Sequence, residues 1–262
     1  MRKIKDALGR ELTLPERPQR IVSLVPSLSE LVVELGLGEA LVGVTRFCVH
    51  PAELRKTRRV VGGTKDPKLE RIRALKPDLV LANVEENRRE DVEALAELPV
   101  YVTRVETLPH SWELVRDLGA LLGAAAKAEP LAAQIEAGFR ALDTAPAIRV
   151  AYLIWWEPLM AVGGETFIHE LLASAGLVNV FAERPRYPSL SLEELRQAEP
   201  ELVLLSSEPF PFREQHAAAL RAALPPETQI EHVDGEVCSW YGSRIAQAPA
   251  LLRSLRARLA SA

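Results

Sequence analysis

Three of the four tryptophans fall in two short stretches, Trp155-Trp156 and Trp240-Tyr241. Aromatic residues make up only 5% of the chain, so where they gather carries information. Flat rings with a few polar anchors are what hold a flat, largely apolar ligand. Trp155-Trp156 follows Ile148 to Ile154, an apolar run read as a strand, at the carboxyl end where open α/β sheets bind ligands. Phe47 follows a strand-like run in the same way. Trp240 and Tyr241 lie in Cys238-Ser239-Trp240-Tyr241-Gly242-Ser243-Arg244, which reads as a loop. Core packing is the competing reading. Neighbours on a strand point to opposite faces, so at least one of Trp155 and Trp156 is structural.

Arginines form a second group. Arg46, Arg184, Arg186 and Arg244 fall in stretches read as loops, and guanidinium forks suit carboxylates. Any one of them is equally readable as a solvated surface residue. Arg46 and Arg244 stand out because each lies close to an aromatic residue. The histidines, His50, His110, His169, His216 and His232, are scattered. Cys48-Val49-His50 is not a zinc spacing, which disfavours a bare-metal site. It leaves Cys48 or His50 open as an axial ligand to a chelated metal. Two cysteines, Cys48 and Cys238, make no disulfide framework. There is no G-x-S-x-G, no Walker A spacing and no G-x-G-x-x-G. Gly62-Gly63-Thr64-Lys65 lacks the upstream glycine of a phosphate loop and reads as a turn.

The 262 residues are 48% hydrophobic and 26% charged, enough for a sizeable core. A net charge of −4 lacks the basic footprint of a nucleic-acid binder. No stretch approaches the roughly 20 apolar residues of a membrane helix. Met1-Arg2-Lys3-Ile4-Lys5-Asp6 does not open an export signal. The protein is therefore either cytoplasmic or numbered after a removed leader.

Short apolar runs alternate with helical patterns. Arg20–Leu24, Leu41–Val44, Leu79–Ala82 and Val100–Thr103 read as strands, with helices over Ser27–Leu35 and Glu90–Leu98. From Ser111 to Asp143 the pattern is helical only, in two pieces, Ser111–Leu122 and about Ala125–Asp143. The second would span roughly 28 Å, with Pro130 in its first turn or kinking it. Alternation then resumes with strands at Ile148–Ile154, Leu202–Leu205 and Ile230–Val233. Helices are expected at Phe167–Ala175, Glu214–Ala223 and Ala248–Leu259. This rhythm predicts largely parallel sheets with helices on both faces. Leu69 to Leu81 also recurs 123 residues later as Leu192 to Leu204: a helix, a Pro-acid break, then a buried strand. The repeat predicts two similar lobes, 1–122 and 147–262, joined through 123–146.

Arg20-Ile21-Val22-Ser23-Leu24-Val25-Pro26-Ser27, Glu30, Val42-Gly43-Val44-Thr45, Leu69-Glu70-Arg71-Ile72 and Lys76-Pro77-Asp78-Leu79-Val80 together resemble the periplasmic-binding-protein family for cobalamin, haem and ferric siderophores. Asp6-Ala7-Leu8-Gly9-Arg10 resembles that family's usual mature start. The resemblance covers nearly the whole chain. It implies an α/β fold of two Rossmann-like lobes joined by one long helix, with the ligand in the cleft between. It implies no catalysis, no resident cofactor, a monomer and an extracytoplasmic location. The partners would be an ABC permease with its ATPase and a small-molecule metal chelate. Implied ligand contacts are Arg46, Phe47, Asn83, Trp155, Trp156, Trp240, Tyr241 and Arg244. Asn83 stands where the family's cobalamin receptors carry an aromatic, which predicts a more polar wall.

The family also uses one glutamate per lobe to grip permease arginines. The resemblance places the first at Glu90, twelve residues after Asp78. The internal repeat places its partner at Glu214, thirteen residues after Glu201, with Glu208 as the alternate. Asn87-x-x-Glu90 also has capping-box spacing, and acids favour helix starts in any case. The rival reading is a cytoplasmic enzyme or cofactor-handling protein on a similar doubly wound fold.

Overall fold

The structure, a computed structural model, describes residues 1–259. Packing divides the chain into two compact units. The first holds residues 1–105, 109–136 and 241–246; the second holds 106–108, 137–240 and 247 onward.

In the first unit, β1 (Arg2–Lys5) and β2 (Glu11–Leu14) pair as an antiparallel hairpin. Then come β3 (Ile21–Ser23), α1 (Pro26–Glu34), β4 (Leu41–Val44), α2 (Leu54–Thr57), β5 (Arg59–Val60), α3 (Leu69–Ala74), β6 (Leu79–Asn83), α4 (Arg89–Glu93) and β7 (Val100–Thr103). The strands form one parallel sheet in the order β5-β4-β3-β6-β7. Strands covered on both faces need continuous apolar runs, and Leu79, Val80, Leu81 and Ala82 are all fully buried. Pro26 opens α1, where its missing N–H costs nothing. Gly36 closes it in the left-handed region, φ +78°. The helix α5 (Leu108–Leu122) follows.

The helix α6 (Ala125–Arg140) starts in the first unit and ends in the second. Its 16 residues span about 24 Å, shorter than the stretch to Asp143 expected. Pro130 is its sixth residue, so α6 forgoes one hydrogen bond just beyond its first turn. It is not the sole crossing, because the chain returns to the first unit over residues 241–246.

The second unit contains β8 (Ile148–Trp155), β9 (Leu159–Ala161), α7 (Phe167–Ala173), β10 (Leu177–Asn179), β11 (Ser189–Leu190), α8 (Leu192–Gln197), β12 (Leu202–Ser206), α9 (Glu214–Ala223), β13 (Gln229–Val233), α10 (Gly235–Ser239) and α11 (Ala248–Leu259). Its sheet runs β11-β9-β8-β12-β13, with β10 also on β8. The β8–β12, β12–β13 and β8–β10 ladders are parallel, and β9 turns back antiparallel.

The internal repeat has a physical basis. Asp78, after α3 and Pro77, accepts the Gln19 and Arg20 amides at 2.8 and 2.9 Å. Glu201, after α8 and Pro200, accepts the Arg149 amide at 2.8 Å. Arg20 returns its guanidinium to the carbonyls of Leu75 and Lys76. Arg149 returns its own to Ala198 and Glu199. Each arginine thus satisfies the orphan carbonyls at a helix end and ties that helix to the start of a central strand. Lys76 and Glu199 match in backbone too, at φ +46° and +44°.

Candidate functional site

In the first unit the Arg46-Phe47 loop leaves the carboxyl end of β4. The Arg46 amide donates to the Gly62 carbonyl and the Phe47 amide to the Thr45 hydroxyl. The guanidinium carbon lies 4.9 Å from the Phe47 ring centre, and that ring is 46% exposed. The same guanidinium forks onto Asp66 at 2.9 and 3.1 Å. The Gly62–Lys65 turn is held down by Asn87, whose amide nitrogen donates to the Thr64 and Leu24 carbonyls. Beside it, burial pushes the Glu86 carboxyl above its usual range, with Lys65 opposing.

Several expected contacts are corrected by their surroundings. Asn83 is the last residue of β6 and buried. Its nitrogen donates to Thr103 and its oxygen accepts the Glu85 and Glu86 amides. It shapes a turn and puts no polar wall toward a ligand. Tyr241 is buried too, so its ring is not on offer. Arg244 forks onto Glu30 of α1 at 2.6 and 2.9 Å, with 11% and 12% of the two side chains exposed. Cys48 is buried against Ser29 and Thr45, and burial raises its thiol. Wholly covered, that sulfur is not presented to a metal carried by a ligand. The capping-box reading of Asn87 also fails: Arg88 is the cap residue of α4 and no side chain caps it. Glu90 is exposed in the first turn of α4.

In the second unit Trp155 ends β8, 38% exposed, its indole N–H donating to the Glu157 carbonyl. It meets Phe210 edge-on at 5.6 Å. Trp156 turns the other way, half-buried against Phe212 at 6.3 Å and His216 at 5.1 Å. Both rings, with Glu157, Phe210, Gln215 and His216, line one open hollow of about 600 Å³. The Arg213 amide donates to Nδ1 of His216, which leaves the proton of the neutral ring on Nε2. Trp240 ends α10 and its indole N–H donates to Glu208 at 3.0 Å. Arg184 pairs with Glu194 at 2.6 Å, and Arg186 lies over Tyr187. Glu214 opens α9, exposed and paired with Arg221. Glu208 accepts Ser239 and Trp240, so the alternate docking acid has its carboxylate engaged.

Phe210 and Phe212 are not among the expected site residues, and His216 is expected only as one of five scattered histidines. The signal was present, since two of the six phenylalanines stand in Glu208-Pro209-Phe210-Pro211-Phe212, just beyond a buried strand. Among the described residues no three His, Cys, Asp or Glu side chains converge as a metal cradle. No described helix is long and apolar enough to cross a membrane.

The family model "Periplasmic binding protein" matches residues 21–222. The chain belongs to that family. The vitamin B12-binding protein of Pectobacterium carotovorum is 28% identical over 201 residues, 73% of this chain and 72% of the relative. The ABC transporter substrate-binding lipoprotein YvrC of Bacillus subtilis is 26% identical over 215 residues, 77% and 68%. Two solved structures share the fold, each with a TM-score of 0.78. The periplasmic vitamin B12-binding protein BtuF of Vibrio cholerae is 20% identical and covers 95% of this chain and all of its own. The periplasmic haem-binding protein RhuT of Roseiflexus is 24% identical and covers 92% and 97%. The protein is a substrate-binding protein of the ABC-importer class, the reading these relatives support over an enzyme or cofactor-handling protein on a similar fold. Membership implies an extracytoplasmic place of work and a permease–ATPase partner.

Proposed function

We propose that this protein binds a corrinoid and delivers it to a permease through Glu90 and Glu214. The observation that carries the choice of ligand is the state of the candidate arginines. Of the four, Arg46 is matched by Asp66, Arg184 by Glu194 and Arg244 by Glu30, while Arg186 lies over the Tyr187 ring. Haem and many siderophores present carboxylates, which need uncommitted cations. A corrinoid presents a flat macrocycle fringed with neutral amides, which needs rings and hydrogen-bonding groups. Opening the exposed Arg46–Asp66 pair would cost little, but it would leave Asp66 facing the incoming carboxylate. Relatives named vitamin B12-binding proteins support the same reading. Asn83 raises no objection to it, being turned inward.

Ligand contacts proposed are Arg46, Phe47, Trp155 and Trp240. Trp156 contributes mainly by packing. The test is titration of the purified protein with cyanocobalamin and, separately, with haemin. Cyanocobalamin at a hundredfold excess over its Kd should stabilise the fold by about 2.7 kcal/mol. Trp155→Ala and Trp240→Ala should each weaken binding by on the order of 1 kcal/mol. Haemin binding tighter than cyanocobalamin would overturn the choice of ligand.

A further inference from the structure

Glu208 lies in the loop after β12, with a half-buried carboxylate. Its Oε1 accepts the Trp240 indole N–H at 3.0 Å and the Ser239 hydroxyl at 2.7 Å. Both donors sit at the end of α10, so one carboxylate oxygen holds that helix end and the ring beyond it.

The loop is itself held rigidly. The Ser206 hydroxyl donates to the Glu208 carbonyl at 2.6 Å and accepts the Tyr152 hydroxyl at 3.2 Å. Gly235, the first residue of α10, donates its amide to Ser207 at 2.9 Å. A Cβ on Gly235 would fall 2.3 Å from the Ser206 oxygen and 2.8 Å from Cγ of Glu208. Only glycine lets α10 press this closely on the loop. Asp234 caps the same helix through the Glu236 and Val237 amides. The Trp240 amide donates to the Glu236 carbonyl at 2.8 Å. The backbone of Trp240 is thus fixed by α10, and its ring by Glu208.

A negative charge is a poor choice here unless it has a task. Its neighbours Tyr152 and Cys238 are buried and weakly acidic. Burial first, with Glu208 among the lesser causes, pushes the Cys238 thiol up to about 12 and Tyr152 well above its usual range. A neutral residue would fill this space with less conflict. The carboxylate supplies a strong acceptor aimed at an indole N–H.

We propose that Glu208 is a positioning residue for ligand binding, its carboxylate fixing the Trp240 indole in the orientation that receives the ligand. This rests on the proposed role of Trp240. A ring held before binding spares the ligand the cost of immobilising it. Releasing the ring should weaken cyanocobalamin binding about 2- to 10-fold. The role differs from docking, since the carboxylate is turned toward α10.

The test uses the full chain and three substitutions: Glu208→Leu, Glu208→Asp and Glu208→Gln. The Trp240 indole N–H resonance, assigned by its loss in Trp240→Phe, reports the ring without any ligand. It should move and exchange faster with solvent in Glu208→Leu. Glu208→Asp, which keeps the charge but shortens the reach, should do the same and covers the case in which Glu208→Leu does not fold. Glu208→Gln keeps an acceptor oxygen and should restore the resonance. Cyanocobalamin affinity should follow the same order, and in a Trp240→Phe background Glu208→Asp should cause no further loss. An unmoved resonance in both Glu208→Leu and Glu208→Asp would overturn the positioning role. So would an equal loss of affinity with and without the indole N–H. If cyanocobalamin does not bind the unsubstituted protein, the proposed function fails while the resonance still decides how the ring is held.

Discussion

Replacing Glu30 with alanine should be among the most damaging changes to the first unit. Arg244 meets Glu30 through two charge-assisted bonds, and little of either side chain reaches water. Glu30→Ala would take from a covered guanidinium the carboxylate that binds it at two points. Breaking a buried pair from one side costs about 3–5 kcal/mol. Folded domains have about 5–15 kcal/mol in all. With a urea slope of about 3 kcal/mol/M, the midpoint should fall by about 1–2 M. Arg244→Met should cost less than Glu30→Ala, since methionine keeps much of the packing of the arginine stem. The pair replacement Glu30→Leu with Arg244→Met should recover much of the loss, since apolar substitutes for buried pairs are often neutral. High salt should change the wild-type value little, because screening acts weakly on covered charges. Urea titration followed by circular dichroism measures all four proteins. A Glu30→Ala midpoint within 0.3 M (about 1 kcal/mol) of wild type would refute the reasoning and make the pair a solvated one.

Glu90→Ala combined with Glu214→Ala should leave cyanocobalamin affinity unchanged and abolish uptake through the cognate importer; transport at the normal rate would reject the docking pair. Cys238, raised from 9.0 to about 12 by burial, favours the fold fully below pH 9. That contribution is lost as pH rises toward 12, at about 1.4 kcal/mol per unit, so alkaline melts of Cys238→Ala should fall less steeply than those of wild type. Glu194 is lowered to about 2 by the Ser191 amide first and by Arg184 next. Its contribution is present above pH 4.5 and fades as pH falls toward 2; an NMR titration of its carboxyl should shift upward in Arg184→Met.

The elements legible in the sequence are those whose pattern is local. The apolar runs Leu41–Val44 and Val100–Thr103 and the helices Glu214–Ala223 and Ala248–Leu259 fold over the expected residues. The hairpin β1–β2 was not legible, because Arg2-Lys3-Ile4-Lys5 carries three charges and half-buries only alternate residues. The short strands β9, β10 and β11 have two or three residues each and exist by pairing with β8 or with one another. In the site, scarcity exposed Trp155 and Trp240, but nothing local told where polar groups spend their hydrogen bonds. Arg244 finds Glu30 across 214 residues. Asn87 looked like a helix cap from its spacing to Glu90, yet its amide serves Leu24 and Thr64, 63 and 23 residues away. The arginine clamps at Arg20 and Arg149 were missed for the same reason, although the repeat they support was plain.

The return of residues 241–246 to the first unit has a consequence for synthesis. A ribosome emits the sheet β5-β4-β3-β6-β7 and α1 early, but the segment that carries Arg244 comes 214 residues after Glu30. At about 5–20 residues per second the wait is roughly 10–40 s. During that interval α1 shows the nascent chain's surroundings a carboxylate that the finished protein covers. Residues 241–246 then cover it, so the first unit is completed only after residues 137–240 of the second have been made.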